Sequence, residues 1–463
     1  MKTPPAGAIF FIMIRNDPHA HTSPRVLSRP EHSLSRNRMS PNAIKVLYRL
    51  HRAGYQAFLV GGGVRDLLID RNPKDFDIGT NARPEEVRRL FKNSRIIGRR
   101  FRLVHVFFRG EVIEVSTFRA SPEPPEGPDD WEEGEIEERE AESPDEPGPK
   151  AVRDDNRYGT PEEDAWRRDL TINALFYDIS DFSVIDWVGG LEDLDAGIVR
   201  VVGQPNIRFE EDPVRMMRAL EYGVRLGFEL APETDAAIHA CHALIAEAVP
   251  ARLTYELMEA LRSGHAAGIW ERWDHFGLLG KAFPELDLDR DQILPLLRCV
   301  DARISRGGRV ADATTIAALF LPGFARLLAE MTSDGQRLAN AVFLDRLRAM
   351  LEPATTHMMV SNQSFHQMYH GLFALTKMRR PPERGRQVLK LTRHESFAVA
   401  WDLFEIGTEV GLLSGNAKDA WCRAVEQVRK KPTGKVQEVV VDPVKRTRRR
   451  RRKRRPRPSE STS

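Results

Sequence analysis

Apolar residues near the start of the chain follow two different spacings. The Ser-Pro pair at 40–41 supplies a capping hydroxyl and a proline for the first turn. Residues 44, 47, 48 and 51 follow at helical spacing, so a helix is predicted that Gly54 closes. Residues 55–60 form a short apolar run before a glycine triplet, which predicts a buried strand. Residues 103–108 and 112–118 predict two further strands joined by an Arg-Gly turn.

The pattern changes past about residue 205, where strand signals fade and long segments with helical spacing follow. Residues 251–262, 316–332 and 339–351 are examples. Strands interleaved with helices, as in the first part of the chain, favour a sheet covered by helices. The predicted fold class is therefore an α/β N-terminal domain with a small mixed sheet, followed by all-α domains to about residue 430.

Two blocks of opposite charge stand outside these patterns. Residues 121–150 contain thirteen Asp and Glu against two basic residues, and residues 445–457 contain eleven Lys and Arg and no acid. Neither block can bury enough apolar surface to fold, which predicts a disordered acidic insertion at 121–150 and a disordered arginine-rich tail at 431–463. So basic a tail favours contact with a polyphosphate such as RNA, with a solubilising role as the alternative. Residues 1–39 are predicted to be a disordered leader.

The composition excludes several classes of protein. No segment has 18 uninterrupted apolar residues, so no membrane insertion is expected. The 3 cysteines are scattered and odd in number, which argues against a disulfide framework and a thiolate zinc site. Scattered free cysteines favour a reducing compartment, and the predicted localisation is cytoplasmic.

Two aspartates separated by one residue, Asp75 and Asp77, give the main chemical signal. Because side chains alternate along a strand, both carboxylates would project to one side. Two such groups repel one another unless a cation lies between them, and Mg²⁺ prefers hard oxygen ligands. Glu114 lies in an otherwise apolar strand, where an acid is costly unless it is paired or binds metal. The alternatives are a pair of acids on a surface strand and an edge-strand glutamate facing solvent.

A glycine triplet comes shortly before these acids, in the segment LVGGGVRDLLIDRNPKDFDIGT. Glycines let backbone N–H groups approach phosphate oxygens, and the start of the following helix favours anions. The spacing matches neither the dinucleotide-binding fingerprint nor a Walker loop. Arg65 would add positive charge beside a bound triphosphate, with a simple salt bridge to Asp66 as the alternative.

Five short motifs follow one another along the chain: GGGVRD, KDFDIGT, EVSTFR, RRDLTINAL and EDPVRMMRA. In this order they resemble the class II nucleotidyltransferases, the family of CCA-adding enzymes and bacterial poly(A) polymerases. The resemblance covers residues 41 to about 260. It implies a palm-like nucleotidyltransferase head at residues 40–180, a neck with base-recognition helices at 181–248 and an RNA-binding helical body at 249–430. It also implies two Mg²⁺ ions, for which Mn²⁺ could substitute, and ATP and RNA 3′ ends as partners.

The same resemblance implies roles for individual residues. The catalytic residues would be Asp75, Asp77, Glu114 and Asp169, and the first three would bind the metal ions. The nucleotide would contact Gly62, Gly63, Arg65, Arg168, Asp212, Arg215 and Arg218. A plain acidic residue at the start of a helix is the alternative for Asp212. The RNA backbone would contact Arg99, Arg100 and Arg102.

One segment distinguishes the two branches of the family. Residues 96–106, IIGRRFRLVHV, resemble the bacterial poly(A) polymerases, whereas CCA-adding enzymes generally lack this arginine-rich form. The predicted function is therefore template-independent transfer of AMP from ATP to RNA 3′ ends, with release of pyrophosphate, in RNA turnover. CCA addition to tRNA is the alternative within the family, and a non-catalytic RNA-binding protein is the alternative from another class. The segment LEYG at 220–223 is more polar than the family's apolar pattern.

Overall fold

The chain forms one mixed sheet in its first half and a long series of helices after it. The computed structural model describes residues 23–98, 102–120, 157–286, 289–332, 338–382 and 385–430. The predicted acidic insertion and arginine-rich tail, together with Arg99 and Arg100, lie outside the described residues.

Eight strands form the main sheet in the described part of the chain. They are β1 (Arg25–Leu27), β2 (Ala57–Val60), β3 (Asp77–Thr80), β4 (Ser94–Ile97), β5 (Leu103–Phe108), β6 (Glu111–Thr117), β7 (Leu175–Asp178) and β8 (Val184–Asp186). Their order is β1-β8-β7-β2-β3-β6-β5-β4. β3 and β6 run parallel and the other neighbours run antiparallel. Two further short strands, Ile198–Val199 and Glu229–Leu230, pair in parallel.

Helices make up most of the remaining described chain, and several flank the sheet. In the first half they are Pro41–Arg52, Gly62–Leu68, Pro84–Leu90, Pro161–Trp166, Gly190–Ala196, Pro205–Glu211, Val214–Leu226 and Pro232–Cys241. In the second half they are Pro250–Arg262, Ala266–His275, Leu279–Ala282, Arg290–Ser305, Asp312–Leu319, Leu321–Glu330, Asn340–His357, Asn362–Met378, Gly385–Thr392, Phe397–Glu409 and Lys418–Lys430. Short 3₁₀ helices lie at Arg29–Glu31, Arg36–Arg38, Thr171–Asn173, His242–Glu247 and Gly415–Ala417.

The helix Pro41–Arg52 shows how local signals and burial act together. The hydroxyl of Ser40 accepts a hydrogen bond from the N–H of Asn42 at 3.1 Å, and proline occupies the first turn. Most of its apolar face is buried and the helix packs on β2; the fully buried residues include Val46, Leu47 and Leu50. Each such side chain contributes roughly 1.5–3 kcal/mol on burial. The predicted helix is confirmed, and it anchors the strand that leads into the glycine triplet.

Two predicted boundaries in the head are wrong. Residues 23–39 are ordered rather than part of a disordered leader, because β1 pairs with β8 and Leu34 and Met39 are buried in the core. The head does not end at residue 180, since β8 belongs to its sheet. Both errors have one physical cause. A three-residue strand is too short to show alternation, and its partner far along the chain decides its structure.

The predicted helix over residues 316–332 is interrupted in the structure. Asp312–Leu319 and Leu321–Glu330 meet at a bend of 56°, and proline occupies the first turn of the second helix. In the described part of the chain no single helix is long and apolar enough to cross a membrane. The two helices of this bent pair are long and apolar enough only when they are taken together. Ala317 and Phe324 in the pair are fully buried within the protein.

Candidate active site

Most of the predicted site residues meet in one pocket of about 280 Å³. The sheet and its loops supply one wall, and the helices Val214–Leu226 and Pro250–Arg262 supply the other. Of the predicted residues, the walls contain Gly62, Gly63, Arg65, Asp75, Asp77, Arg168, Asp169 and Arg218. Of the predicted catalytic and nucleotide-binding residues, Glu114, Asp212 and Arg215 are not part of the walls.

Asp75 and Asp77 both line the pocket, but one step of the prediction was wrong. β3 begins at Asp77, so Asp75 lies in the preceding loop and strand alternation does not place it. Asp77 is the register partner of Glu114 on the parallel strand β6, which puts both side chains on one face of the sheet. Solvent still reaches Asp77, yet desolvation by the surrounding protein raises the pKa of Asp77 to about 6. Desolvation is the largest cause of this raised pKa; the negative charges of Glu114 and Asp75 contribute to it in the same direction, and Arg168 opposes them.

This set of carboxylates has the chemistry of a site for a hard divalent cation. Their mutual repulsion is what a cation would relieve, and their oxygens are the donors that Mg²⁺ prefers. The Glu114 carboxylate lies 3.4 Å from Nε2 of His105 and is not on the pocket wall. Across the described residues, no three His, Cys, Asp or Glu side chains are already grouped to hold a metal ion. Joint binding by all three acids would therefore draw Glu114 away from His105.

Gly61 makes the turn that precedes the helix Gly62–Leu68. Its φ is +71°, which residues with a Cβ rarely adopt. A Cβ at this position would lie 2.9 Å from Nη1 of Arg168. The absent side chain thus lets the Arg168 guanidinium pack directly on the backbone of the turn. The helix begins at Gly62, so its first N–H groups have no acceptor within the helix.

The arginines of the pocket are held in place by other protein groups. Arg65, which is 3% exposed, donates to Oδ1 of Asp66 from Nε at 2.9 Å and from Nη2 at 2.7 Å, and it also contacts Asn173. Arg168 donates to Oδ2 of Asp164 at 3.0 Å and to the carbonyl of Asn173 at 3.2 Å. The salt bridge between Arg65 and Asp66 is therefore present, and both positive charges have fixed positions in the wall.

A network of largely buried charges lies beside the acids in the pocket wall. Asp169 accepts hydrogen bonds from Nε of Arg218 at 2.6 Å and from the N–H of Leu170 at 2.8 Å. Burial acts to raise the pKa of Asp169, but Arg218 and these hydrogen bonds outweigh it and lower that pKa to about 2. Glu256 has only a longer contact, 3.4 Å from its Oε2 to Nη1 of Arg218. Burial therefore dominates at Glu256 and raises its pKa to about 7.

Glu256 is expected to make the protein less stable as the pH rises. Its folded pKa of about 7 exceeds the ordinary value of 4.5, so the folded state binds the proton more tightly and stability is lost between about pH 4.5 and 7. Glu256→Gln keeps the size of the side chain and removes this titration. The free energy of unfolding, measured by urea denaturation, should therefore rise in the variant relative to the wild type as the pH is raised from about 5 to about 8. An unchanged difference across that range would contradict the assignment.

Tyr222 lies at the centre of a cluster of arginines in the pocket wall. The guanidinium carbons of Arg65, Arg225 and Arg218 lie 4.8, 5.4 and 5.5 Å from its ring centroid. Arg225 also forms a salt bridge of 2.8 Å with the buried Glu221. The structure therefore explains why residues 220–223 are more polar than the family's pattern, because two of their side chains, Glu221 and Tyr222, form part of the pocket wall.

Asp212 and Arg215 are bound to protein groups instead of facing the pocket. Oδ2 of Asp212 lies 2.8 Å from Nη1 of Arg252. Nη1 of Arg215 lies 2.9 Å from a carboxylate oxygen of Glu211. Their contact with a nucleotide base stays a prediction. Arg102, the one described member of the predicted RNA-binding arginines, forms a salt bridge of 3.3 Å with Glu85.

Comparison with known proteins agrees with this arrangement. A family model described as "Poly A polymerase head domain" matches residues 57–200, and one described as "Probable RNA and SrmB- binding site of polymerase A" matches residues 227–289. Poly(A) polymerase I of Escherichia coli O157:H7 is 36% identical over 394 residues, which are 83% of this chain and 82% of that protein. The chain belongs to the class II nucleotidyltransferase family. Poly(A) polymerase I of Salmonella typhi is 35% identical over 435 residues, 92% of this chain and 90% of that protein.

The other branch of the family also matches. A CCA-adding enzyme of Bacillus licheniformis is 35% identical over 252 residues, which are 54% of this chain and 57% of that protein. The crystal structure of the Bacillus stearothermophilus CCA-adding enzyme in complex with CTP is similar, with a TM-score of 0.55 and 25% identity over 86% of this chain and 90% of that chain. The predicted fold class, a nucleotidyltransferase head followed by helical domains, is confirmed.

Several wall residues of this nucleotidyltransferase were not predicted from the sequence. They are Gly61, Asp66, Lys74, Asn173, Glu221, Tyr222, Arg225, Tyr255, Glu256 and Glu259. Tyr255, Glu256 and Glu259 come from the helix Pro250–Arg262, which lies well beyond the last of the five motifs in the sequence. The available signal was an acid within an apolar stripe, since Glu256 lies beside Leu253 and Leu257, which are fully buried.

Proposed function

We propose that the protein is a poly(A) polymerase, which transfers AMP from ATP to the 3′-hydroxyl of RNA and releases pyrophosphate without a template. The observation that carries the proposal is the pair Asp75 and Asp77 in the pocket, with a pKa of Asp77 raised to about 6 by desolvation and neighbouring acids. The extent of the similarity favours this branch, since the poly(A) polymerases match most of the chain and the curated CCA-adding relative about half.

Asp75, Asp77 and Glu114 would hold divalent cations, with Mg²⁺ as the expected ion. Such ions, when bound, supply positive charge to the triphosphate and lower the pKa of the attacking hydroxyl. The protein contributes position: β3 and β6 set the spacing of Asp77 and Glu114, and the loop after Pro73 sets Asp75. Asp169 is a positioning residue on this account, because its carboxylate is bound to Arg218 and the N–H of Leu170.

The triphosphate would lie against the Gly62–Gly63 side of the pocket. Free N–H groups at the start of that helix and the fixed guanidiniums of Arg65 and Arg168 present positive potential there. Because these groups are held by protein partners, they need little reorganisation when charge develops on the phosphates. Asp212 and Arg215 would read the base of ATP after releasing their present partners, and Arg218 would support that wall.

Gly61→Ala is expected to weaken ATP binding as well as stability. The positive φ costs an L-residue about 1–2 kcal/mol, and the Cβ would displace Arg168. Gly110→Ala is the matched control, because Gly110 has a φ of +81° and open space where a Cβ would go. Urea denaturation should show a loss of stability for both variants, and a larger loss for Gly61→Ala because Arg168 is displaced. Isothermal titration calorimetry should show about a 10-fold loss of ATP affinity, about 1.4 kcal/mol, for Gly61→Ala alone; equal affinities would count against this placement of the triphosphate.

RNA would approach with its 3′ end toward the acids and its backbone toward basic groups. Arg99, Arg100, Arg102 and the arginine-rich tail would contact phosphates, so affinity should fall steeply with added salt and depend little on sequence. Such a protein would act on cytoplasmic RNA and promote its turnover.

CCA addition is the second candidate, favoured by the similarity to the CTP-bound structure. A tRNA that lacks its terminal CCA separates the two functions. With CTP and ATP together, a CCA-adding enzyme stops after three nucleotides, whereas a poly(A) polymerase gives long A tails with ATP alone. We expect the long tails. Three-nucleotide products that require CTP would refute the proposal in favour of CCA addition, and RNA binding without turnover of either nucleotide would leave a non-catalytic RNA-binding protein.

A further inference from the structure

Tyr255 is an aromatic side chain at the pocket that no contact in the structure explains. It lines the pocket and is 59% exposed, among the most exposed large apolar or aromatic side chains in the described part of the chain. Tyr222, the other tyrosine of the wall, is enclosed by three guanidiniums. Within the described residues, no ring contact, cation–π contact or hydrogen bond involves Tyr255. An exposed ring in a polar pocket is an available surface for another flat group.

The helix Pro250–Arg262, which carries Tyr255, is tied to three other segments. Arg252, Glu256 and Glu259 lie three, one and four positions from Tyr255, and each is tied to a different segment. Arg252 pairs with Asp212 at 2.8 Å, Glu256 lies 3.4 Å from Arg218, and Glu259 pairs with Lys74 at 2.8 Å. These three ion pairs fix the backbone position of Tyr255 at the pocket, so a partner that stacks on the ring has to order only the side chain and not the helix.

The neighbours of Tyr255 indicate which group it would receive. Lys74, bound to Glu259 on the next turn, directly precedes Asp75, so the ring stands beside the loop that carries one of the acids. The nearby carboxylates of Glu256 and Glu259 disfavour a phosphate at this point. A neutral nucleobase is compatible with both the acids and the exposed aromatic face.

We propose that Tyr255 is a positioning residue that stacks on the base of the 3′-terminal nucleotide of the RNA acceptor. This inference rests on the proposed function, because it is the 3′-hydroxyl of that nucleotide that must reach Asp75 and Asp77. The triphosphate of the incoming nucleotide is assigned to the Gly62–Gly63 side of the pocket, and its base is assigned to Asp212 and Arg215. This leaves the rim at Tyr255 for the polymer. Stacking accepts any base, as a polymerase needs when the first acceptor nucleotide varies.

Binding of two RNA probes to the full-length protein tests the inference without catalysis. One probe is a short oligonucleotide with an intact 3′ end, and the other lacks only the base of its last nucleotide. Fluorescence anisotropy without ATP, at a salt concentration that weakens backbone contacts, gives both dissociation constants. The wild type should prefer the intact end by about 5- to 100-fold, the range expected for one base stacked on an aromatic ring.

Variants assign that preference to the ring itself. Tyr255→Phe keeps the ring and should keep the preference, whereas Tyr255→Ala and Tyr255→Leu should bind both probes equally. Phe107→Ala is the matched control, because Phe107 is an exposed aromatic residue outside the pocket, and it should bind as the wild type does. In steady-state assays, Tyr255→Ala should raise the KM for the RNA primer and leave the KM for ATP unchanged.

Three results would overturn the inference: a wild type that binds both probes equally, a Tyr255→Ala variant that keeps the preference, or a variant whose KM rises for ATP alone. Failure of the proposed function looks different. In that case the wild type distinguishes the two probes but adds no AMP to either of them.

Discussion

Asp77→Asn is expected to lower kcat for AMP transfer on the order of 10³-fold or more. The amide keeps the shape of the side chain but not its charge, and a divalent cation in a phosphoryl-transfer site stabilises the transition state by several kcal/mol. Primer extension with ATP at saturating Mg²⁺ measures the loss. Asp195→Asn, which removes a charge from an exposed helix position, is the matched control and should leave kcat unchanged.

The same substitution should not harm the fold. The folded pKa of Asp77 is raised to about 6, first by desolvation and then by Glu114 and Asp75, so ionisation of Asp77 lowers stability as the pH rises from about 4 to 6. In metal-free buffer at about pH 8, Asp77→Asn should therefore have the same Tm as the wild type or a higher one. An active variant, or one that is inactive because it no longer folds, would be inconsistent with these roles of Asp77.

Arg218→Ala is expected to have the largest effect on stability, with a loss of about 3–5 kcal/mol in the free energy of unfolding. The change leaves the carboxylates of Asp169 and Glu256 buried without their shared positive partner. It also removes one of the three guanidiniums around Tyr222. Urea denaturation of the full-length protein at neutral pH, with the slope of the transition recorded as well as its midpoint, measures the change.

Two further variants show whether this loss comes from the charge network. Arg218→Lys retains the charge but not the planar fork. Its free energy of unfolding should therefore lie between that of the alanine variant and that of the wild type. Arg95→Ala removes an exposed arginine from β4 and should change the free energy of unfolding by less than about 0.5 kcal/mol. If Arg218→Ala and Arg95→Ala were equally stable, Asp169 and Glu256 would not depend on Arg218.

Local signals in the sequence were enough for the parts of the fold that are stabilised locally. The Ser40 cap predicted the helix Pro41–Arg52, and the alternating segments predicted β5 and β6 within one residue of their bounds. β1 and β8 were missed because three-residue strands take their structure from their partners. The extent of the sheet was therefore underestimated, although its mixed character was predicted.

In the candidate site, too, the features set by local sequence were predicted and those set by distant contacts were not. Motifs that are continuous in sequence, such as the glycine turn and the paired aspartates, were found together with their neighbours in the pocket. Asp75 lines the pocket with Asp77 as predicted, but the predicted reason was wrong. The loop after Pro73, and not strand alternation, brings Asp75 beside Asp77. Glu256 and Tyr255 were missed because a helix far along the chain carries them to the site, and no short motif records that contact.

Asp212 and Arg215 mark the limit of motif-based reasoning in another way. The prediction that both lie on one helix was wrong, because Asp212 is in extended conformation between the helices Pro205–Glu211 and Val214–Leu226. The two side chains are nevertheless neighbours, with 3.9 Å between Nε of Arg215 and Oδ2 of Asp212. Their spacing did not predict the competing partners Arg252 and Glu211, which occupy both side chains in this structure. A motif identifies which groups can pair with a base, whereas the packing around it decides which partner they have.

The most direct test of the central claim uses a generic RNA primer and each of the four nucleoside triphosphates in turn, with Mg²⁺ and with excess chelator. The acids at the pocket and the extent of similarity to poly(A) polymerases predict a ladder of many added nucleotides with ATP, little extension with the other three, and none once the metal is removed. No extension with ATP, extension that ignores the chelator, or a product that ends after a few nucleotides and requires CTP would contradict the account.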